Sequence, residues 1–333
     1  MHKSSNHPQS PPPLRPNSWL ARAWLAAERF KSTPNHPLYR GRFAPSPSGL
    51  LHQGSLIAAL ASYVHAHWHG GVWLVRMEDV DQSRCTAAYG KAQLTVLREL
   101  GFEFDANVMW QSERNEAYQT AFDMLCTHQQ VYPCTCTRRD IADSRTHMDA
   151  RNAQTPAYAG TCRKGINPNA PIRSWRFRVH DEPLMWQDEN GIAHVDNLEH
   201  SVGDFVLKRA KTPQNAPKNK AEDGDWAYQL AVVVDDAAQG VTHIVRGEDL
   251  LDSTARQIAL QRALNIPTPH YNHIPLLLNP SGDKLSKRDQ APALDALHGL
   301  EALQHAWCFL GGQPVETDRI CDFWHAVLQG APK

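Results

Sequence analysis

The stretch that decides the fold is Arg42-Phe-Ala-Pro-Ser-Pro-Ser-Gly-Leu-Leu-His-Gln-Gly-Ser55. It begins in a predicted strand (40–44), passes through a loop of proline, serine and glycine, and enters a predicted helix (55–68). Gly70-Gly71 ends this helix, and 72–76 is typical of a buried strand. Strand, helix and strand in this order predict a βαβ unit with parallel strands and a right-handed crossover.

The junction between loop and helix is a candidate phosphate site. Free N–H groups at a helix N-terminus bind phosphate. His52 lies just before the predicted helix, where its ring can donate a hydrogen bond to a phosphate oxygen. Taken alone, a His-x-Gly pattern is more often a tight turn with an incidental histidine.

The rest of the chain alternates between predicted helices and strands. Helices are predicted at 86–100, 113–130, 253–264 (with Ser253 as the N-cap) and 294–310. Strands are predicted at 175–179, 231–234, 242–245 and 273–278, and the polar stretch 208–225 is predicted to be an exposed loop. The alternation predicts an α/β fold.

Composition narrows the classes of function. The chain has 333 residues and 34 Lys and Arg against 35 Asp and Glu, a formal net charge of −1. Because the charges balance, the chain cannot bind nucleic acid through an overall positive charge, and RNA contacts need local basic patches. The candidates are 138–139, 163–164 and 208–211. The longest mostly apolar stretch, 56–64, is too short for a bilayer span of about 20 residues. Seven cysteines, an odd number, favour a reducing compartment, and we expect a cytoplasmic protein without a membrane partner.

The N-terminal segment differs from the rest. Residues 1–37 contain 7 of the 23 prolines, a density that opposes helix and sheet, and we expect 1–38 to be a disordered extension. Within it, 19–30 has the pattern of one short amphipathic helix. Its five basic residues weakly resemble a transit peptide, and an extension or an early start codon is the simpler interpretation.

A second motif lies far along the chain, at Lys284-Leu-Ser-Lys-Arg288. Three cations in five residues after a predicted strand and turn predict a mobile basic loop. Such a loop can neutralise a departing pyrophosphate, although a basic turn alone is more often a solvated surface.

Together, about 230 residues apart and in this order, the two motifs resemble the HIGH and KMSKS signatures of class I aminoacyl-tRNA synthetases. The opening 42–52 resembles the glutamyl branch of that family rather than the glutaminyl branch. The resemblance covers about 40–310. Within it, four further blocks match this branch in order: Met77-Glu-Asp-Val-Asp-Gln-Ser-Arg84, Trp226-Ala-Tyr-Gln-Leu230, Val234-Asp-Asp236 and Val245-Arg-Gly-Glu-Asp-Leu250. Ser55 replaces the second His of HIGH, and Leu285 and Arg288 replace the Met and final Ser of KMSKS.

The resemblance implies a Rossmann-like parallel sheet with an inserted smaller domain and a short helical C-terminal region. The implied divisions are an extension (1–38), the first half of the catalytic domain (39–132), an insertion with a zinc cluster (133–225), the second half with the basic loop (226–290) and a helical region (291–333). The implied glutamate site comprises Arg42, Phe43, Ala44, Pro45, Ser46, Glu78, Tyr228 and Arg246. The implied ATP site comprises His52, Gly54, Lys284 and Lys287, of which His52 and Lys287 act in catalysis, with Mg²⁺ accompanying ATP.

Only 45 residues follow Arg288, fewer than a helical anticodon-binding region needs. This favours the truncated form of the branch, the glutamyl-Q tRNA(Asp) synthetases. That form activates L-glutamate with ATP and attaches it to queuosine in the anticodon of tRNA(Asp). We expect a monomer that activates glutamate without tRNA.

The cysteines at 134–162 form a candidate metal site. Cys134, Cys136 and Cys162 are spaced like the ligands of a zinc knuckle. Since thiolates are preferred ligands of Zn²⁺, these residues predict a zinc site. The resemblance points to Tyr158 as the fourth ligand, whereas His147 and Asp149 are chemically more ordinary candidates. A cluster of thiols without metal is the alternative.

Three other functions remain open from the sequence. One is a fragment of an ordinary glutamyl-tRNA synthetase, the second is a nucleotidyltransferase acting on a small metabolite, and the third is a non-catalytic RNA-binding or zinc module. Glutamate-dependent exchange between ATP and pyrophosphate separates a synthetase from the other two.

Overall fold

The computed structural model describes residues 13–33, 38–143, 157–211, 222–278, 294 and 298–329. The first part of the chain contains α1 (Trp19–Ser32), β1 (Arg40–Phe43), α2 (Gln53–Trp68), β2 (Val72–Met77), α3 (Ala87–Glu99), β3 (Met109–Trp110) and α4 (Asn115–Thr127). The predicted βαβ unit is confirmed, since β1 and β2 pair in parallel with Arg40 opposite Val72. On its other side β2 pairs in parallel with β3.

A mainly antiparallel region follows α4. It contains β4 (Val131–Cys134), α5 (Arg138–Asp143), β5 (Ser174–Phe177), β6 (Pro183–Gln187), β7 (Ala193–Asn197), α6 (Leu198–Ser201), β8 (Val206–Lys211) and β9 (Glu222–Trp226). Four of these strands form one antiparallel sheet in the order β4-β5-β8-β9. The other two form the hairpin β6–β7.

The last part returns to the parallel sheet. It contains α7 (Tyr228–Ala238), β10 (His243–Gly247), α8 (Leu251–Ala263), β11 (His270–Ile274), α9 (Gly299–Leu310) and α10 (Ile320–Leu328). The strands β10 and β11 pair in parallel. The N–H of Thr242 donates to the Arg40 carbonyl (3.0 Å), which places β10 beside β1. The three-stranded sheet β1-β2-β3 and the pair β10-β11 thus lie side by side, and their combined order β3-β2-β1-β10-β11 is that of a Rossmann-like sheet.

The helix α2 lies at the centre of the larger core. Eleven of its sixteen residues are buried, which is typical of a helix covered on all sides. It packs on β1 and β10 and against α1, α9 and α10. The indole of Trp68 on α2 donates to the Val327 carbonyl on α10 (3.0 Å). The C-terminal helices thus close the face of the sheet that carries the βαβ unit.

The expectation of disorder at 1–38 is wrong for α1, and the amphipathic helix at 19–30 is confirmed. Ser18 caps the helix by accepting from the Ala21 N–H. Leu20 and Ala27 are fully buried in the same core as α2. The proline-rich flanks led to the expectation of disorder for the whole segment, although the helical pattern of 19–30 was recognised within it.

The strand predicted at 231–234 is also wrong, because these residues lie within α7. Leu230, Ala231 and Val232 are fully buried in a second core, together with side chains of α4, α8 and the antiparallel region. A short apolar run does not by itself distinguish a strand from a buried helix.

Two smaller predictions fail near these elements. Ser253 is not an N-cap: α8 begins at Leu251 after a 3-10 turn, and the Ser253 hydroxyl accepts from the Gln229 amide (3.0 Å). The stretch 208–225 is not a simple loop, because its described ends pair as β8 and β9, with Lys208 opposite Trp226.

Across the described ranges, no helix combines the length and apolar character that crossing a membrane requires.

Candidate active site

A cavity of about 390 Å³ opens at the carboxyl ends of the parallel strands. Its wall contains the described residues that the sequence analysis assigned to glutamate and ATP: Arg42, Phe43, Ala44, Pro45, Ser46, Glu78, Tyr228, Arg246, His52 and Gly54. They come together because β1, β2 and β10 end at one edge of the sheet, where α/β folds bind ligands.

The loop of prolines and serines after β1 is held by neighbouring elements. The Glu78 N–H donates to the Pro45 carbonyl (3.0 Å). The amide of Gln93 on α3 donates to the carbonyls of Gly49 (2.7 Å) and Ser46 (3.3 Å). The loop therefore keeps a fixed shape beside the cavity.

A balanced group of charges forms one wall. The Nε of Arg42 donates to Oδ1 of Asp236 (3.1 Å), and Arg76 donates to the same oxygen (2.8 Å) and to Glu78 (3.3 Å). All four side chains are buried, and their formal charges cancel. Arg76 and Asp236 were missed as site residues, although a charged residue inside the buried strand pattern of β2 was a usable signal.

The two carboxyl groups differ in their surroundings. Burial raises the pKa of Glu78, and the charges of Arg76 and Arg42 only partly offset this. Burial acts in the same way on Asp236, but there Arg42 and Arg76 outweigh it and lower the pKa. Glu78, at the cavity wall, thus gains from a cationic ligand, whereas Asp236 is a structural anion.

Arg246 has a different environment from Arg42. Its guanidinium donates to four neutral acceptors: His273 Nε2 (3.2 Å), Gln257 Oε1 (2.7 Å), Thr254 Oγ1 (2.7 Å) and the Leu250 carbonyl (3.3 Å). Among the described residues, no carboxylate forms an ion pair with it. Buried charges are costly without a partner, so this geometry favours an anionic ligand in the cavity.

Two other residues complete this part of the wall. Burial raises the pKa of Tyr228, and Glu78 adds to the shift, so its hydroxyl stays protonated at neutral pH. The remaining described acid on the wall, Asp249, is exposed, where solvent screens its charge.

On the nucleotide side, His52 is the N-cap residue of α2, and its carbonyl accepts from the N–H of Ser55 (2.9 Å). A Cβ at Gly54 would lie 3.2 Å from two atoms of the His52 ring and would crowd it. Lys284 and Lys287 lie outside the described residues. The described residues that flank them are at the cavity: Leu277 lines it, and the Leu294 N–H donates to the carbonyl of Leu51, another wall residue (2.9 Å).

The three cysteines come together as the spacing indicates. The sulfurs of Cys134, Cys136 and Cys162 lie within 4.8 Å of one another. The Tyr158 hydroxyl lies 3.5 Å from the Cys134 sulfur and 3.7 Å from that of Cys136. Gly203, with φ of +69°, lets the backbone approach Tyr158, because a Cβ there would lie 2.0 Å from the Tyr158 carbonyl oxygen. His147 and Asp149 lie outside the described residues.

The thiols are electrostatically unequal. Burial raises the pKa of Cys136 to about 12. Burial would also raise that of Cys162, but hydrogen bonds from Tyr158 and the Thr135 backbone lower it to about 7. Three clustered sulfurs with a phenolic oxygen form a donor set that suits a thiolate-preferring metal ion.

One residue in each of two expected basic patches is engaged within the fold, whereas their neighbours Lys164 and Arg209 are exposed. Arg163 pairs with Glu199 (2.9 Å) and Asp204 (2.5 Å). Lys208 is buried and lies over the Trp226 ring, 4.2 Å from its centroid. Both side chains stabilise the antiparallel region.

Comparison with known proteins gives a consistent result. A family model described as tRNA synthetases class I (E and Q), catalytic domain, matches residues 39–308. A glutamyl-Q tRNA(Asp) synthetase of Janthinobacterium sp. (strain Marseille) is 49% identical over 295 residues, 87% of this chain and 95% of the relative. One of Cupriavidus metallidurans is 51% identical over 88% of this chain and 90% of its own length.

Solved structures agree on the fold. The glutamate-tRNA synthetase of Elizabethkingia anophelis superposes with a TM-score of 0.62 at 26% identity, over 76% of this chain. The chain spans about half (53%) of that protein's length. A methionyl-tRNA synthetase of Mycobacterium tuberculosis, at 12% identity and a TM-score of 0.55 over 82% of this chain and 64% of its own, shares the fold alone.

Proposed function

We propose a function from the family of this chain, which belongs to the class I tRNA synthetases for glutamate and glutamine and, within them, to the glutamyl-Q tRNA(Asp) synthetases. In this proposal the protein activates L-glutamate with ATP and transfers it to queuosine in the anticodon of tRNA(Asp). The enzyme is a ligase of the class I aminoacyl-tRNA synthetase type. The observation that carries the choice of glutamate is the arrangement of charges around the cavity.

Glutamate at neutral pH has two carboxylates and one ammonium group, a net charge of −1. Arg42, Arg76, Glu78 and Asp236 balance one another, whereas the buried Arg246 has no direct carboxylate partner among the described residues. A substrate with net charge −1 completes this balance, with Glu78 facing the ammonium and Arg246 facing a carboxylate. Glutamine has no net charge and leaves Arg246 unmatched.

Activation forms a bond between a glutamate carboxylate oxygen and the α-phosphorus of ATP and breaks the bond to pyrophosphate. The product is a mixed anhydride, and negative charge grows on the leaving pyrophosphate. His52 and the amino end of α2 face the phosphates, and Lys284 and Lys287 neutralise the leaving group. Leu277, which lines the cavity, and Leu294, which donates to the wall residue Leu51, flank the basic segment and support this role. Mg²⁺ enters with ATP.

The first test is exchange between ATP and labelled pyrophosphate in the absence of RNA. Arg42, Glu78, Tyr228 and Arg246 already face one cavity in the chain alone, so we expect exchange with glutamate and none with glutamine. Exchange that begins only after tRNA is added would contradict tRNA-independent activation. Exchange with glutamine at a comparable rate would contradict the charge argument.

The second test concerns the acceptor. Purified tRNA(Asp) with queuosine, with its 3′-terminal adenosine removed, should still accept labelled glutamate, because the proposed acceptor is the anticodon base. The matched tRNA(Asp) that carries guanosine in place of queuosine should accept none. Charging of tRNA(Glu) at its terminal ribose would instead identify an ordinary glutamyl-tRNA synthetase activity.

The insertion 133–225 carries the proposed zinc site. Cys134, Cys136, Cys162 and Tyr158 would hold one Zn²⁺, which would tie the turn after β4 to the segment before β5. Elemental analysis should find one zinc per chain, and a triple Cys→Ser variant should lose it and melt several degrees lower. The matched control is Cys126→Ser, an exposed cysteine on α4. Protein without zinc, or a triple variant with unchanged melting, would leave a plain thiol cluster.

A further inference from the structure

The turn of the hairpin β6–β7 reaches from the antiparallel region to the parallel sheet. The Asp188 N–H donates to the Ile192 carbonyl and the Gly191 N–H to the Asp188 carbonyl, both at 2.9 Å, which closes the turn. The Asp188 carboxylate is buried at the edge of β11. It accepts from the backbone N–H of His273 (3.2 Å) and from its Nδ1 (2.5 Å).

These two hydrogen bonds determine the state of the His273 ring. Because Asp188 accepts at Nδ1, the proton of the neutral ring lies there, and Nε2 keeps its lone pair. That lone pair accepts from the Nε of Arg246 (3.2 Å). Burial lowers the pKa of His273, against the effect of Asp188, so the ring stays neutral and remains an acceptor.

The chain of contacts therefore ends on the guanidinium that faces the cavity. Gln257 and Thr254 hold the terminal nitrogens of Arg246, and His273 holds its Nε. With the contact to the Leu250 carbonyl, these are four fixed contacts, and they leave the plane of the guanidinium little freedom to rotate. Of these contacts, the one through His273 depends on a residue outside the parallel sheet and its helices.

We propose that Asp188 and His273 are positioning residues that orient Arg246 toward the substrate carboxylate, so that the hairpin β6–β7 helps to select glutamate. This inference rests on the assignment of Arg246 to glutamate in the proposed function. Neither residue touches the substrate. Their effect is on where Arg246 points and on which nitrogen of His273 carries the proton.

The test is Asp188→Asn, measured by glutamate-dependent pyrophosphate exchange. An asparagine amide can donate to Nδ1 of His273, which moves the ring proton to Nε2. Two donors, the Nε2–H of His273 and the Nε–H of Arg246, then face each other, and their hydrogen bond is lost. We expect the KM for glutamate to rise roughly ten- to hundredfold, with the KM for ATP and the melting temperature little changed. The matched control is Asp181→Asn, an exposed aspartate just before β6, which should leave both constants unchanged.

A second pair of variants separates positioning from packing. His273→Gln keeps a neutral side-chain oxygen that can accept from Arg246, whereas His273→Leu removes every acceptor. The Gln variant should bind glutamate more tightly than the Leu variant at a similar melting temperature. This pair also decides the matter if Asp188→Asn does not fold.

Three results would overturn the positioning role. They are an unchanged KM for glutamate in Asp188→Asn, equal losses for glutamate and ATP, or equal glutamate KM values for His273→Gln and His273→Leu. Any of them leaves the proposed function intact as long as the unsubstituted enzyme exchanges pyrophosphate with glutamate. If that enzyme fails to do so, the proposed function itself is wrong.

Discussion

Arg42 and Arg246 are the same kind of side chain on the wall of one cavity, but the structure uses them differently. Arg42 is paired with Asp236, whereas Arg246 is held by neutral acceptors. The resemblance assigned both to glutamate. It gave no indication of this difference, because the acceptors of Arg246 come from α8 and β11, whose side chains carry no motif.

The difference predicts the effect of Arg246→Lys. An ammonium group keeps the charge but loses the fork that spans His273, Gln257 and Thr254. We expect the KM for glutamate in pyrophosphate exchange to rise by about tenfold or more, with a smaller effect on the KM for ATP. The control is Arg262→Lys, at an exposed position on α8. An unchanged glutamate KM would show that Arg246 does not contact the substrate.

The basic segment gives a second prediction for single residues. Lys287→Ala should lower the rate of exchange roughly hundredfold or more, because its charge acts on the leaving pyrophosphate. The KM for glutamate should change little. Lys91→Ala, at an exposed position on α3, is the control. A loss confined to glutamate binding would place Lys287 in the amino-acid site instead.

Among the elements, the sequence predicted best where a motif and a hydrophobic period agreed. β1, α2 and β2 follow the pattern of apolar residues and the glycines after α2. The sequence failed at α7, where Ala231 to Val234 is apolar on every side. There the choice of helix depends on packing against α4 and α8 and on Asp235, which accepts from Tyr118 (2.5 Å) and Arg114 (3.0 Å). Contacts between residues more than a hundred positions apart are not contained in a local pattern.

The helix α1 supplies the prediction at this scale. Leu20→Ala removes a fully buried side chain and should lower the free energy of unfolding by about 2–5 kcal/mol. Leu25→Ala, at a position of the same helix that is 56% exposed, should change it by less than about 0.5 kcal/mol. Urea unfolding of the full chain measures both. Equal effects would mean that α1 does not belong to the core in solution.

At the scale of the whole molecule, the amino ends of the parallel strands meet in a cluster of buried rings. His243 of β10 stacks on Tyr39, with ring centroids 4.2 Å apart, and on His270 of β11 (4.7 Å). The other groups around it are Phe30 of α1, His65 of α2, His69 directly after α2, and Glu189 of the β6–β7 turn. This cluster joins α1, the parallel sheet and the hairpin on the side opposite the cavity.

The cluster predicts that acid destabilises the fold. Burial lowers the pKa of His65 and lowers that of His243 to about 2, so both stay neutral in the folded chain. The unfolded chain takes up protons below about pH 6.5, and the stability from these two residues is therefore full above that pH and falls below it. For each of the two histidines, the free energy of unfolding falls by up to about 1.4 kcal/mol per pH unit below that pH. Melting temperatures between pH 7.5 and 5.5 measure the effect.

Glu189 acts in the opposite direction and provides the control. Burial raises its pKa to about 7, so the folded chain binds a proton at this residue as the pH falls, which favours folding. Glu189→Gln removes that compensation, and its melting temperature should fall more steeply with acid. Parallel curves for the two proteins would contradict this account of the cluster.

The turn at Asp188 and Glu189 also bears on how such an enzyme is assembled from parts. The inserted hairpin is not a detachable module. The buried Asp188 contacts His273, and the half-buried Glu189 contacts Asn272 and His243 of the parallel sheet. Exchange of the insertion between relatives must carry these residues of β10 and β11 with it. A graft that keeps the hairpin but not its partners leaves the two carboxyl groups without their hydrogen-bond donors on β10 and β11. The hairpin and the strands β10 and β11 must therefore be inherited together, although they are separated in the gene.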